Sequence, residues 1–279
     1  MLHFISEFVF IPLGGPETVI AGKVLRNLCG LLIVWAVCCA PRAHAATLWY
    51  NGDQDGRDAI SNQTASVATG VDGAIYEDFI VPAGQKFTIQ TAYSNDVENP
   101  FFTSPRVSSV AWSIHSGVSA GVAGTVVASG TATGTNATET ANGTSVVFAP
   151  FSANQVTITA KGLSVLLYPG KYWLSVAPVT TGADDSFFYV STTSGLNAVG
   201  TPPGNDGNSF FNSVADGDNY IPTTTLEGPG TWDYSLGLTG IVTPEPSSMV
   251  LMLAASFGLP ALGFCRRKRS SFVQTTVRV

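Results

Sequence analysis

YPGKYWLSV, residues 168–176, joins a turn to a strand whose side chains alternate. Pro169 has a fixed φ and Gly170 accepts a positive φ, which are the requirements of the two central positions of a type II turn. Beyond the turn, alternate side chains from Tyr172 to Val176 share one face of an extended strand, and we expect that face to lie in the core. The stretch therefore predicts two antiparallel strands joined by a tight turn.

Strand-like runs rich in Thr, Val, Ser, Phe and Tyr alternate with clusters of Gly, Pro and Asn throughout residues 46–243. Apolar residues do not recur there at helical spacing. Many short strands without intervening helices predict an all-β domain, built as an antiparallel β-sandwich or jelly roll. Small and polar residues dominate residues 116–145, so we expect a long surface loop around residues 130–143. The expected strands are residues 47–50, 75–81, 87–93, 107–115, 125–128, 145–148, 155–159, 164–168, 171–178, 186–191, 209–212 and 234–241.

The charge of the expected domain argues against two classes of partner, and the positions of the cysteines exclude disulfide bonds within it. Residues 46–243 contain five basic and 16 acidic residues, a net formal charge of −11. Binding to nucleic acid or anionic lipid needs clustered Lys and Arg, so neither is expected as a partner. The region contains no cysteine and therefore no disulfide, which leaves its stability to the core. The four cysteines lie outside it, at Cys29, Cys38, Cys39 and Cys265.

The C-terminal end of the chain begins with a sequence that stops regular structure. Pro244, Glu245 and Pro246 form a Pro-bracketed acidic tripeptide, which neither continues a strand nor enters a helix interior. An apolar run follows at residues 249–264. As a helix it is about 24 Å long, and it spans a bilayer core of about 30 Å with the help of its flanks. We expect a single C-terminal transmembrane helix here.

A basic cluster follows this run and is expected to stay on the cytoplasmic side of the membrane. It consists of Arg266, Arg267, Lys268 and Arg269. In this order, the three features resemble the PEP-CTERM sorting signal of bacterial exported proteins. The resemblance implies recognition and cleavage near Pro-Glu-Pro by a membrane-embedded exosortase, with residues 243–270 as the signal and 271–279 as a short cytoplasmic tail. The plainer alternative is an ordinary C-terminal membrane anchor.

The N-terminal end has the composition of a secretory signal. Two basic residues within residues 23–26 precede an apolar stretch at residues 28–40. Small residues then stand at the positions that a signal peptidase reads, Ala43 and Ala45, so we expect cleavage directly before Ala46. The cleaved segment, which contains a signal helix, would be residues 1–45, and the exported domain residues 46–242.

The first 22 residues differ from the basic start of a signal peptide. Glu7 and Glu17 lie in residues 1–22, together with a separate apolar patch. A start codon assigned too far upstream explains these residues, and a longer tolerated leader is the alternative.

NGDQDGRD, residues 51–58, is the strongest candidate for a metal site. Oxygen-bearing side chains alternate along it, and Gly56 permits a sharp turn, as in the first half of a calcium loop. The twelfth position, however, is Asn62 instead of a bidentate Glu. A plain acidic turn after a strand explains the same residues, so both interpretations stay open. The candidate calcium ligands are Asn51, Asp53, Asp55 and Asp58; no other cofactor is expected.

Catalytic groups are scarce in the expected domain. His115 is its one histidine, so any Ser/His/Asp arrangement would depend on this imidazole, and its strand position favours a surface or sheet-face location. Paired carboxylates are a second possibility, because two of them catalyse glycoside hydrolysis at the right separation. Adjacent carboxylates on a strand, however, point to opposite faces. The pairs are Glu77 and Asp78, Asp184 and Asp185, and Asp216 and Asp218. We do not expect an enzyme.

Aromatic side chains raise the alternative of carbohydrate binding, although they also fill β-sandwich cores. Trp112 and Trp173 are expected in or near the core. Trp232, beside Gly230 and Asp233, is the best candidate for an exposed glycan platform. The other aromatic residues considered are Trp49, Tyr220 and Tyr234.

Several blocks of the expected domain resemble a group of exported bacterial sandwich proteins that often end in sorting signals. The resemblance implies a fold and a location, and it transfers no catalytic residue. We therefore expect a non-enzymatic cell-surface or extracellular-matrix protein, processed by signal peptidase and exosortase and held by its C-terminal helix in the membrane before processing. The alternative is a carbohydrate-binding module that contacts exopolysaccharide, with or without calcium. The blocks are residues 48–53, 76–79, 112–117, 169–176 and 207–213.

Overall fold

The computed structural model describes eight segments of the chain, all within the unit His44–Val279. They are residues 45–64, 72–98, 107–148, 151–179, 188–204, 206–214, 217–228 and 230–245. Strands make up most of them, with a 3-10 turn at Gly134–Asn136 and a four-residue helix, α1, at Thr223–Leu226. The strands are β1 Ala46–Tyr50, β2 Gln54–Ser61, β3 Ala74–Val81, β4 Gln85–Glu98, β5 Ser109–Ser116, β6 Thr125–Thr133, β7 Ala137–Phe148, β8 Phe151–Leu167, β9 Gly170–Val179, β10 Phe188–Thr193, β11 Phe210–Ser213, β12 Asp218–Pro222, β13 Asp233–Tyr234 and β14 Leu236–Pro244.

The strands form two antiparallel sheets, which confirms the all-β prediction. In the eight-stranded sheet, β14 lies between β1 and β4, and β10 lies between β4 and β13. The same sheet includes β8, which pairs with β4 and β7, and β2, which pairs with β10. The six-stranded sheet has the order β12-β11-β3-β9-β5-β6. Strands distant in sequence are therefore neighbours in both sheets, and each sheet forms only when the chain is nearly complete.

Both sheets contribute apolar side chains to one shared core, as in a sandwich. Leu174 and Val176 of β9 are buried there and Tyr172 packs against it, as the alternation in residues 168–176 predicts. Trp49 of β1 is fully buried, and its ring centroid lies 5.5 Å from that of Phe79 on β3. Each such side chain contributes about 1.5–3 kcal/mol by burial, so this core accounts for much of the stabilisation of a domain without disulfides.

The turn before β9 differs from the prediction in two ways. Gly170 has no positive φ, so the turn is not the expected type II turn. In addition, β8 and β9 belong to different sheets, so Pro169 lies in a corner between sheets and not in a hairpin. A Pro-Gly sequence fixes the local direction of the chain, but the partner of each strand is decided by distant residues.

A second, smaller apolar cluster lies on the other face of the six-stranded sheet. His115 packs here with its ring centroid 5.0 Å from that of Tyr76 and is only 5% exposed. It therefore has the sheet-face location that the sequence allows, and the alternative of a surface position is wrong. Both faces of β9 are consequently buried, since Trp173 points opposite to Leu174. The cluster consists of Tyr76, Val118, Trp173, Phe210 and Tyr220.

Three segments have secondary structure that the sequence did not predict. Residues 130–143, expected as a surface loop, are the end of β6, the 3-10 turn and the start of β7. This segment carries the chain from the six-stranded to the eight-stranded sheet. The acidic segment after β1 continues as β2, and β12 was also missed. Their polar side chains hide the strand pattern, because ladder pairing and not an apolar face supplies the stabilisation. The partners are the neighbouring strands β5, β8 and β11 for β6, β7 and β12, and the distant strand β10 for β2.

Several predicted features lie outside the described residues. They include most of the expected signal peptide with Ala43, and everything from Pro246 onward with the expected transmembrane run and basic cluster. Within the described segments, no helix is long and apolar enough to cross a membrane. The carboxylates of Asp184, Asp185 and Asp216 also lie outside these segments.

Candidate functional site

The acidic segment predicted to bind calcium begins with two residues that have separate hydrogen-bond partners. Asn51 is 2% exposed, and its Nδ2 donates to Glu77 Oε2 at 3.2 Å and to the Tyr234 carbonyl at 3.1 Å. Asp53 accepts hydrogen bonds from the Tyr50 hydroxyl at 2.9 Å and from Asn197 Nδ2 at 2.7 Å. The Asn51 side chain therefore makes its hydrogen bonds in the interior of the domain, whereas Asp53 is part of a polar network near the surface.

The other two candidate ligands have partners of their own. Asp55 accepts from Arg57 Nε at 2.5 Å and from the Thr192 hydroxyl at 2.6 Å, while Asp58 Oδ1 accepts from the Ala59 amide at 2.8 Å. Among the residues that the structure describes, no three or more His, Cys, Asp or Glu side chains are grouped to hold a metal. The calcium site stays a prediction, which the calcium arm of the experiment proposed below tests.

The adjacent carboxylates of β3 lie on opposite faces of the sheet. Glu77 is on the core face, where Oε1 accepts from the Tyr234 amide at 2.6 Å. Burial and the nearby charge of Asp233 raise its pKa well above the ordinary value. Asp78 is on the other face, with Oδ2 at 2.9 Å from Lys171 Nζ. The two side chains therefore do not form a paired site for acid and base catalysis.

His115 and Trp232, singled out from the sequence, occupy packed positions. The ring nitrogens of His115 lie 2.8 Å from the Ala123 carbonyl and 3.1 Å from Ser113 Oγ. Trp232 is half-buried, and the Arg57 guanidinium lies over its ring at 5.0 Å. Arg57 covers one face of this ring, so at most the other face is left to stack on a sugar.

A buried carboxylate of β4 makes stability depend on pH. Asp96 is fully buried, Asn62 Nδ2 donates to it at 2.9 Å, and burial raises its pKa to about 7. The folded state therefore keeps a proton that the unfolded chain releases near pH 4, so stability falls as the pH rises between these pKa values. We expect the free energy of unfolding to be about 2–3 kcal/mol lower at about pH 8 than at about pH 5 from this group.

Urea titrations of the parent and of Asp96→Asn at both pH values measure this effect. The amide is neutral at either pH, so the variant should lose that part of the pH dependence. An equal pH dependence in both proteins would contradict the assignment to Asp96.

A polar pocket opens on the outer face of the eight-stranded sheet, and we call it the amide pocket. Its volume is about 240 Å³. Three of its six lining side chains come from the end of β1 and the start of β2, and the others from β4, β7 and β8. Because these segments are distant in sequence, only the strand pairing brings them together. The lining residues are Tyr50, Asp53, Gln54, Asn95, Asn142 and Gln155.

Hydrogen bonds fix one wall of the amide pocket. Asn95 Nδ2 donates to Ser235 Oγ at 2.8 Å and to the Tyr50 hydroxyl at 3.2 Å. Its Oδ1 accepts from the Thr157 hydroxyl at 2.8 Å, and Thr157 Oγ1 in turn accepts from Asn142 Nδ2 at 3.1 Å. These bonds hold the wall in one arrangement before any ligand arrives.

Two further properties of the amide pocket bear on what it binds. Burial raises the pKa of Tyr50, so its phenol stays protonated at neutral pH. Gln54 Oε1 is buried and has no hydrogen-bond partner in the described segments. An orphaned acceptor of this kind costs about 1–3 kcal/mol unless water or a ligand supplies a donor.

Sequence reasoning identified Asp53 but missed Asn95, Asn142 and Gln155 as members of one site. Single Asn and Gln residues in strands carry no sequence signal for a binding site. Their convergence depends on the pairing of Asn95 with Thr157 in the β4–β8 ladder and on the pairing of β7 with β8. No protein-family model, curated protein or solved structure matches the chain. The chemistry of the amide pocket, with one carboxylate and several amides, is suited to hydrogen bonding with a polar ligand.

Proposed function

We propose that the chain is a non-enzymatic, exported component of the cell surface or extracellular matrix, sorted through a PEP-CTERM signal that an exosortase processes. One observation supports this proposal most directly. The first strand of the described segments, β1, begins at Ala46, where signal cleavage is expected, and the last one, β14, ends at Pro244, the first residue of the sorting motif. Removal of both signals would therefore leave every described strand almost intact.

The proposal assigns a role to each end of the chain. Residues 1–45 act as a signal peptide with a helical apolar part, and residues 249–264 form one transmembrane helix before processing. The basic residues 266–269 stop transfer on the cytoplasmic side. The domain between these signals, residues 46–242, is then delivered outside the cytoplasm.

The start of the sorting motif is held against the folded domain. Pro244 ends β14 opposite Gln85 of β4, so the expectation that the tripeptide does not continue a strand is wrong for its first residue. Proline is tolerated there because β1 pairs with β14 only as far as Gly240, which leaves that side of the strand as an edge. The Glu245 amide donates to the Gly84 carbonyl at 2.8 Å. Lys86 Nζ lies 3.7 Å from Glu245 Oε1. Very little free chain would separate the domain from the membrane, so processing should act close to the domain.

The position of signal cleavage is tested by sequencing the N-terminus of the protein recovered from the cell envelope. We expect Ala46, because Ala43 and Ala45 supply the small side chains that a signal peptidase accepts. A mature protein that begins at Met1 or Leu25 would contradict the signal assignment. The intact mass of the same sample reports in parallel whether the C-terminal tail has been removed.

A further inference from the structure

We propose that the amide pocket binds a single ring of a neutral saccharide. The inference goes beyond the sorting role and does not depend on it, because it concerns only the outer face of the eight-stranded sheet. It gives the carbohydrate-binding alternative a site that differs from Trp232.

The lining of the amide pocket matches the hydrogen-bonding pattern of a sugar. Each sugar hydroxyl both donates and accepts, and a carboxamide offers two N–H donors beside a carbonyl acceptor. Four of the six lining side chains are carboxamides, and Asp53 and Tyr50 add a carboxylate and a phenol. The Tyr50 ring also supplies apolar surface for the C–H groups of a sugar ring.

The hydrogen-bond network prepares the pocket for binding. Asn95 is fixed by Tyr50, Ser235 and Thr157, so little side-chain entropy remains to be lost when a ligand is bound. Among the described residues, Gln54 Oε1 is a buried acceptor without a partner. Because this atom has almost no exposed surface, the Gln54 carboxamide has to rotate before a sugar hydroxyl or a bridging water donates to it and recovers the energy that the unpaired state costs.

Charge and size limit the class of ligand. Asp53 in the lining and the net charge of −11 of residues 46–243 disfavour an anion, and a lining of amides disfavours an apolar molecule. The volume of about 240 Å³ is below the roughly 300 Å³ at which pockets for drug-sized ligands begin. One ring of a neutral sugar, at the end of a chain or as a branch, fits these limits.

Binding is tested with the full-length chain, purified in a detergent that contains no sugar. An array of neutral, acidic and N-acetylated glycan ends is probed first. Calorimetry with the methyl glycosides of glucose, galactose, mannose and N-acetylglucosamine follows. We expect binding to at least one neutral end, and a loss of about tenfold in affinity for Asn142→Ala and for Gln155→Ala, the value of about one hydrogen bond to the ligand.

Asn136→Ala is the matched control, because Asn136 is also an exposed Asn but lies outside the amide pocket. It should bind as the parent does, and thermal unfolding checks that all variants are folded. If Asn142→Ala fails to fold, the glycan affinity of Gln155→Ala alone tests the proposal. Absence of binding to every glycan, or parental affinity in the folded pocket variants, would overturn the proposal. Calorimetry with calcium alone is the second arm: calcium binding that Asn142→Ala and Gln155→Ala abolish, with no glycan bound, would overturn the proposal and assign the pocket to a metal.

Discussion

Alanine at Pro244, Glu245 and Pro246 together should trap the chain in the membrane with its C-terminal tail attached, in a host that carries an exosortase. The apolar run at residues 249–264 and the basic cluster after it are unchanged, so membrane insertion should persist. What is lost is the motif that the proposed processing enzyme recognises. We expect almost complete loss of processed protein, measured by immunoblotting of membrane, surface and medium fractions and by the intact mass of the trapped form.

Two control variants separate recognition from folding. Alanine at Ser247 and Ser248 changes adjacent residues outside the tripeptide, and Lys86→Ala removes the ion pair to Glu245. Both should be processed as the parent is. Processing of the triple variant at the parental rate would defeat the sorting assignment. If the parent itself keeps its tail in that host, the tail is an ordinary membrane anchor.

Gly240→Ala should destabilise the domain strongly, although alanine in a strand is normally no worse than glycine. A Cβ at this position would collide with the Thr88 carbonyl oxygen of β4 and lie 3.0 Å from Ile89 Cα and from Leu48 Cδ1. The colliding atom belongs to the backbone of the neighbouring strand, so the β14–β4 ladder has to move. We expect a loss of about 3 kcal/mol in the free energy of unfolding, or roughly 10 °C in Tm.

Gly170→Ala is the matched control for this substitution. Gly170 also lies in a strand without a positive φ, but its nearest neighbour is the Tyr172 hydroxyl at 3.3 Å, at the end of a side chain that can rotate away. Its effect should stay within about 0.5 kcal/mol. Urea titration measures both variants. Equal stabilities of the two would show that the strands absorb the extra methyl group at Gly240 at little cost.

The sequence predicts the strands that are rich in β-branched and aromatic residues far better than the polar strands. Alternating side chains in β9 mark a buried face, and this pattern needs no knowledge of the partner strand. Residues 54–61 contain three charged side chains and a glycine, so they resemble a turn until pairing with β10 is known. The first part of β7, residues 137–144, is hidden by Thr, Asn and Gly in the same way, whereas residues 145–148 are predicted as a strand. Their strand structure comes from pairing with β8, which is a tertiary property.

The candidate site was less predictable than the fold. Asp53 is recognisable as a candidate site residue in the sequence because acidic residues and glycines cluster around it. The structure places it beside Asn95 and Gln155, whose sequence surroundings carry no such signal. Their convergence depends on register, and a shift of one residue in β8 would turn Gln155 to the other face of the sheet. The burial of His115 on its sheet face was not predictable for a related reason, since the aromatic cluster that covers it is assembled from β3, β9, β11 and β12.

The position of β14 in the eight-stranded sheet has a consequence for the order of folding. A ribosome makes β1 first, but the strand that pairs with β1 in this sheet is the last one in the domain. The growing chain therefore carries an open β1 edge, with high loop-closure entropy, until residues 236–244 are made. Synthesis of a truncated chain would leave this edge uncovered and prone to aggregate. Only a chain that has reached its own C-terminal strand, and with it the start of the tail, can close the sheet.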